Sequence, residues 1–218
     1  MTDTIKNKTI VLDALEVASK TVIGLTPAGA LYSAIWDSVK SKCVEKRFQE
    51  WKNKVEDRVR QMEITMDELG ENEKFTTALF QATQSAIQTA ETKKRDYLAN
   101  VVRNSVSCDL EDSVFMIFLD LIHKYTVWHI NILLFFENPE NFDAVRRSRY
   151  SMGSPITLLE EVYPELKAEQ TLVNKMIREL YVDGLLTNEN MNTTMTENGM
   201  KTSRTTKLGN QFLDLLRD

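Results

Sequence analysis

Two cysteines, Cys43 and Cys108, stand 65 positions apart in a chain of 218 residues. They are too few for a disulfide framework and lack the spacing of a metal site, so a reducing cytoplasm is the expected location. Histidine is equally scarce. His123 and His129 are six apart, about 600° around a helix, and project in different directions. Both are expected to play structural or capping roles, and no metal site is expected. There is no Gly-x-Ser-x-Gly, no glycine-rich phosphate loop and no short-range Cys–His pair. Glu160 and Glu161 are adjacent, so on a helix they diverge and read as solvated acidic surface. The sequence therefore nominates no catalytic residue and no cofactor, and a non-enzyme is expected.

Long hydrophobic runs are missing as well. The longest uncharged stretch, Thr21 to Trp36, spans 16 residues and contains Gly24, Pro27 and Gly29. A bilayer span needs about 20 predominantly apolar residues, so this one is too short and too broken. Asp13 and Glu16 precede it, where a signal peptide would carry basic residues. Tyr125 to Phe136 is shorter still and reads as a buried helix. The 27 Lys and Arg against 32 Asp and Glu give a formal charge of -5, which excludes coating of nucleic acid or anionic lipid by bulk electrostatics.

What is present is helical. Between Gly29 and Pro139 there is no proline and one glycine, Gly70. Val44, Phe48, Trp51, Val55, Val59, Met62, Met66 and Leu69 repeat at spacings of three and four, which predicts one helix of at least seven turns, capped by Gly70. Asn72 is the expected N-cap of a helix through Phe75, Leu79, Ala82, Ala86 and Ala90. A further helix runs through Leu98 and Val102. Acidic residues at Asp109 to Asp112 favour another N-terminus, followed by Val114, Ile117, Phe118, Leu121, Ile122 and Tyr125. Residues 141 to 153 hold Arg146, Arg147 and Arg149 and read as an exposed connection. Ser154-Pro155 starts a helix that stops near Pro164. Leu172, Val173, Met176, Ile177 and Leu180 mark the next, which ends at Asp183-Gly184. A strand at Leu185 to Thr187, a polar excursion, a return strand within Thr202 to Leu208, and a last helix after Gly209 complete the reading.

That C-terminal order resembles the winged-helix domains of bacterial regulators. Leu180-Tyr-Val-Asp-Gly-Leu-Leu186 matches the end of a recognition helix and the start of the wing, and Thr206-Lys-Leu-Gly209 matches the chain leaving it. The resemblance covers Thr126 to Asp218. Upstream, Thr92 to Asn104 and Trp128-His-Ile130 look like a set of uncharacterised bacterial proteins that pair a helical N-terminal region with a winged helix. Some related helical families are associated with abortive-infection phage defence. The resemblance supplies no catalytic residues. The long stretch between Pro139 and Ser154 departs from a compact DNA-binding regulator.

The expected architecture is therefore mainly α: a helical bundle over residues 1–108, then a winged helix-turn-helix with one small β-hairpin over 109–218, interrupted by an insertion near 139–154. Its candidate contact residues for DNA or a protein partner are Asn174, Lys175 and Arg178 on the recognition helix and Lys201, Arg204 and Lys207 on the wing. Lys40, Lys42, Lys46, Arg47, Lys52 and Lys54 form a candidate basic face, although interspersed acids favour a solvated helix. Residues 151 to 218 carry seven cations and ten acids, or -3, which turns the balance from DNA toward protein association. The expected function is a non-catalytic interaction or regulatory subunit of a bacterial system, with phage defence implied by resemblance. A DNA-binding transcription regulator is the alternative, and self-association stays open. A membrane-acting effector is the third reading, and it rests on Thr21 to Trp36 alone. If that segment only joins helices, the full chain stays in the supernatant with liposomes, anionic ones included. Salt-resistant flotation would restore the effector reading.

Overall fold

The scarcity of proline and glycine has the expected outcome: the chain is mainly α-helical. A computed structural model describes residues 42–62, 64–148 and 150–218, which form eleven α-helices, two 3-10 turns and one antiparallel pair of two-residue strands. The Thr21 to Trp36 segment, Lys40 and the Lys42 side chain lie outside the described residues. Among those described, no helix is long and apolar enough to cross a membrane. Two compact units emerge: residues up to Lys124 together with Leu215–Asp218, and Tyr125–Asp214. The division falls after Lys124 rather than at Cys108, because the helix that ends at Lys124 packs on the first unit.

In the first unit, α1 (Lys42–Arg60), α3 (Glu73–Gln88) and α4 (Thr92–Ser105) pack mutually, and α5 (Asp112–Lys124) packs on α3. The predicted seven-turn helix is instead two, α1 and α2 (Met66–Glu71). A capping box causes the break: the Glu68 N–H donates to Thr65 Oγ1 (3.3 Å) while the Thr65 N–H donates to the Glu68 carboxylate (2.9 Å). Gly70 lies inside α2 and caps nothing, and among the described residues the one glycine at positive φ is Gly184. Trp51 and Val55 are fully buried, and the Trp51 indole N–H donates to Thr83 Oγ1 (3.0 Å). Asn72 caps α3 as expected, accepting from the Phe75 N–H (2.8 Å). Ala78, Ala82 and Ala86 present almost no side chain, which lets neighbouring helices approach α3 closely. Ala90 falls beyond the helix and is exposed. On α5 the buried positions are Phe115, Phe118, Leu119, Leu121 and Ile122, whereas Ile117, expected inside, is half exposed.

The second unit is built around α6 (Val127–Glu137), most of whose residues are buried. The stretch expected to be an exposed connection is folded. It forms a 3-10 turn (Pro139–Asn141), α7 (Asp143–Arg147) and β1 (Met152–Gly153), with Val145 fully buried. Aromatic packing accounts for this, since Phe142 lies against Phe135 (5.6 Å between ring centres) and Tyr163 (6.2 Å). Ser154 caps α8 (Pro155–Val162), with Pro155 at its first position. A second 3-10 turn (Pro164–Ala168) leads into α9 (Gln170–Val182), which buries Val173, Met176, Ile177 and Leu180 and leaves Leu172 exposed. Gly184, at φ +78°, turns the chain after α9.

The predicted hairpin survives as a single antiparallel bridge between Leu186 and Thr205. The strand pair forms elsewhere, between β1 and β2 (Met195–Thr196), and an unforeseen helix, α10 (Glu197–Lys201), occupies the polar excursion. Gly209 does not precede the final helix. It lies inside α11 (Lys207–Leu216), where a Cβ would fall 2.3 Å from the Leu185 carbonyl oxygen. The residue is glycine because backbone packs directly on backbone. Gly209→Ala should therefore cost about 2–3 kcal/mol, whereas Gly70→Ala, with nothing within 4 Å, should gain about 0.5–1 kcal/mol. Thermal melts of the two variants check this, and a neutral Gly209→Ala would mean the contact is easily relaxed.

Candidate interaction surface

Turns of three and four residues place Thr171, Asn174, Lys175, Arg178, Tyr181 and Val182 on one outward face of α9, and all six are exposed. Opposite them Val173, Met176, Ile177 and Leu180 enter the core. Lys175 is tethered, its ammonium donating to Glu179 Oε1 (2.8 Å). The Asn174 amide oxygen accepts from Asn192 (3.4 Å). Arg178 is exposed and makes no ion pair among the described residues.

The wing candidates divide. Arg204, expected as a contact residue, is 6% exposed and turned inward. Its guanidinium donates to the carbonyls of Gly199, Met200 and Thr202 and to the Met195 sulfur. It thereby supplies donors to carbonyls at the end of the five-residue α10, and burial lowers its pKa. Lys201 is largely buried and paired with Glu197. Lys207, at the start of α11, is exposed and without an ion pair among the described residues. Chain geometry brings it near the end of α9, because the Thr206 hydroxyl donates to the Gly184 carbonyl (2.7 Å) and the Thr206 N–H to that of Leu185 (3.0 Å). Sequence reasoning missed Tyr181 (41% exposed) and Val182 (70% exposed). The signal was available for Val182, which is apolar yet stands opposite the stripe at 173, 176, 177 and 180, whereas Tyr181, four residues after Ile177, falls at the stripe's margin.

Of the basic-face candidates described on α1, Arg47 and Lys54 are turned against neighbouring helices, as is Arg58 further along. Arg47 donates to the Ile87 carbonyl (3.4 Å), Lys54 pairs with Asp96, and Arg58 donates to Asn100 Oδ1 (2.7 Å). Together with Glu50–Arg95 (2.7 Å) these contacts descend α1 at intervals of three and four residues, tying it to α3 at Ile87 and to α4 at the other three. Lys46 remains in solvent, 3.8 Å from Glu50, and Lys52 is half-buried.

Behind the outward face of α9 lies a polar network. The Thr126 N–H donates to His129 Nδ1 (3.2 Å), so the imidazole hydrogen resides on Nε2, which donates to Glu179 Oε2 (2.9 Å). Tyr125 stacks on His129 (4.9 Å between ring centres) and donates its hydroxyl to Asp183 (2.7 Å). Burial, and then the Asp183 acceptor, push the Tyr125 pKa well up. His123, in the first unit, instead shares a hydrogen bond with the Ser85 hydroxyl (2.6 Å). Glu160 and Glu161 border a shallow open depression with Arg147 and Lys167, and Glu161 accepts from Tyr150 (2.6 Å). Among the described residues, no group of three or more His, Cys, Asp or Glu is placed to hold a metal ion.

No family model matches the chain, and no curated protein or solved structure matches it. The function must be read from the surface itself.

The lysine ammonium of Lys175 first, and the His129 N–H second, hold the Glu179 pKa below its ordinary 4.5. A depressed carboxylate contributes stability that is complete above its unfolded pKa and lost as pH falls through the folded one. Near neutral pH, Glu179→Gln should therefore melt earlier, by an equivalent of about 1 kcal/mol at this partly solvated position. The gap should close on acidification below 4.5. A gap that persists in acid would show that the charge of Glu179 does not matter.

Proposed function

We propose that the chain is a non-catalytic interaction or regulatory subunit of a bacterial system, with phage defence suggested by resemblance, and that its C-terminal half uses a winged-helix arrangement to associate with another protein. The order α6, β1, α8, α9, the reversal at Gly184 and the Leu186–Thr205 bridge support the winged-helix reading. One observation carries the choice of partner. Three of the five cations that a DNA reader would extend are engaged within the fold, Arg204 by carbonyls, Lys201 by Glu197 and Lys175 by Glu179, which leaves Arg178 and Lys207, while the outward face of α9 ends in two exposed hydrophobic side chains. Phosphate binding needs free cations, and apolar side chains gain most by being covered by another apolar surface. The charge balance agrees, with nine cations and twelve acids over residues 125–214 giving -3.

The test is a genome-wide DNA selection on the full chain at physiological salt. No enriched motif is expected. The quadruple alanine variant of Lys175, Arg178, Lys201 and Arg204 is a poor control, because Arg204 holds the fold together. Lys175→Ala with Arg178→Ala is the cleaner pair. A single enriched motif abolished by that pair would establish the transcription-regulator reading instead.

A further inference from the structure

The end of α9 and the start of α11 form a patch of defined chemistry. Val182 is 70% exposed, the highest value among the exposed large hydrophobic residues described, and its neighbour Tyr181 is 41% exposed, so the two make a contiguous apolar surface. Arg178 lies one turn before Val182 on the same face, and Lys207 follows Thr206, whose hydroxyl is bonded to the Gly184 carbonyl. Neither cation has an ion pair among the described residues, whereas Lys175, Lys201 and Arg146 do; Arg147 and Lys167, which also lack one, border the depression beside Glu160 and Glu161 instead. The neighbouring Asp183 carboxylate accepts from the Tyr125 hydroxyl, and Glu179 is held between Lys175 and His129. An apolar pair flanked by two unneutralised cations is thus left on a unit whose net charge is negative.

Resting on the protein-association reading above, we propose that this patch docks an acidic amphipathic segment of a partner protein, with an apolar side chain of the partner seated on Tyr181 and Val182 and its carboxylates meeting Arg178 and Lys207. Charge decides among the occupants. A second copy of the chain applying the same patch would bring Arg178 and Lys207 against their own counterparts, with no carboxylate free to answer them. A nucleic acid would satisfy the cations but would set Val182 against a hydrated phosphate surface and gain nothing from it. Only a partner that is both apolar and acidic uses all four side chains. The patch is small, so the contact is transient on its own.

The experiment uses the isotope-labelled full chain and designed helical peptides of about 16 residues carrying a Leu/Phe stripe on one face. One peptide has Glu at the remaining positions, one has Lys there, and one has the Glu composition with the stripe scrambled; a duplex oligonucleotide of matched charge is the fourth probe. The acidic striped peptide should bind and shift the amides of residues 178–184 and 206–208. Arg178→Glu combined with Lys207→Glu should weaken it at least about tenfold, and added salt should weaken it further. Val182→Ser, on an exposed position that leaves folding intact, should weaken it as well. Equal binding of the scrambled peptide would overturn the proposal, since plain anion attraction would then explain the data. No binding of the acidic striped peptide, shifts confined to other residues, or indifference to the charge reversal would overturn it too. Preferential binding of the Lys peptide at the same residues would remove the acidic partner yet leave protein association standing. Binding of the duplex alone at α9 would remove both.

Discussion

A helix without a polar face has to be enclosed, and α6 is such a helix. From Val127 to Phe136 it carries no acid, lysine or arginine, and Ile130, Ile132, Leu133, Phe135 and Phe136 are fully buried. Everything else in the second unit can be understood as the means of covering it. The segment after Pro139 folds back so that Phe142 reaches Phe135, α9 packs along α6, and the Arg204 N–H closes the far end by donating to the Phe136 carbonyl (2.8 Å). His129 and Asn131 are the polar exceptions within the buried set. The cost of burying the imidazole is offset by bonding at both ring nitrogens, which also sets Glu179, and hence Lys175, in place on α9.

Charge in this chain is largely structural. On α1, Arg47, Lys54 and Arg58 meet Ile87, Asp96 and Asn100 on neighbouring helices, and Arg204 is buried among the carbonyls of Gly199, Met200 and Thr202. An arginine so placed is stable because a guanidinium has five donors and is weakly hydrated, so several carbonyl acceptors can replace water. Arg178 and Lys207 are used differently: both are exposed on the second unit and make no ion pair among the described residues.

Features that depend on neighbours within four residues were readable from the sequence. Asn72 and Ser154-Pro155 begin helices, and Gly184 ends one, because each acts on backbone a few atoms away. The Thr65-x-x-Glu68 box was equally local, but a continuous apolar stripe hid it: Leu69 keeps the stripe's phase across the break, so periodicity alone cannot reveal the turn between. Features that depend on distant residues were not readable. β1 finds its partner at Met195 and Thr196 rather than in the next hairpin, and Gly209 is set by the Leu185 carbonyl. Of the candidate contacts, those on α9 followed from helical phase. The fate of Arg204 could not follow, since residue type gives exposure only as a tendency.

The clasp on α4 has a consequence for how the first unit comes together. Asn100 donates to the Leu216 carbonyl (2.9 Å) while accepting from Arg58, Asn104 donates to those of Leu215 and Arg217, and Asp218 pairs with Arg58 (3.0 Å). The Asn100–Leu216 bond joins residues 116 apart. Helices α1 to α5 can associate through short loops, but this last set of contacts waits on a far longer ring closure, whose entropic cost grows with the logarithm of loop length. A contiguous fragment cut after Lys124 would carry Asn100 with its Nδ2 donor bereft of its carbonyl and Arg58 without its carboxylate. The first unit is consequently assembled from two separate stretches of chain, and proteolytic nicking within residues 125–214 would leave it held by noncovalent contacts to its own detached end.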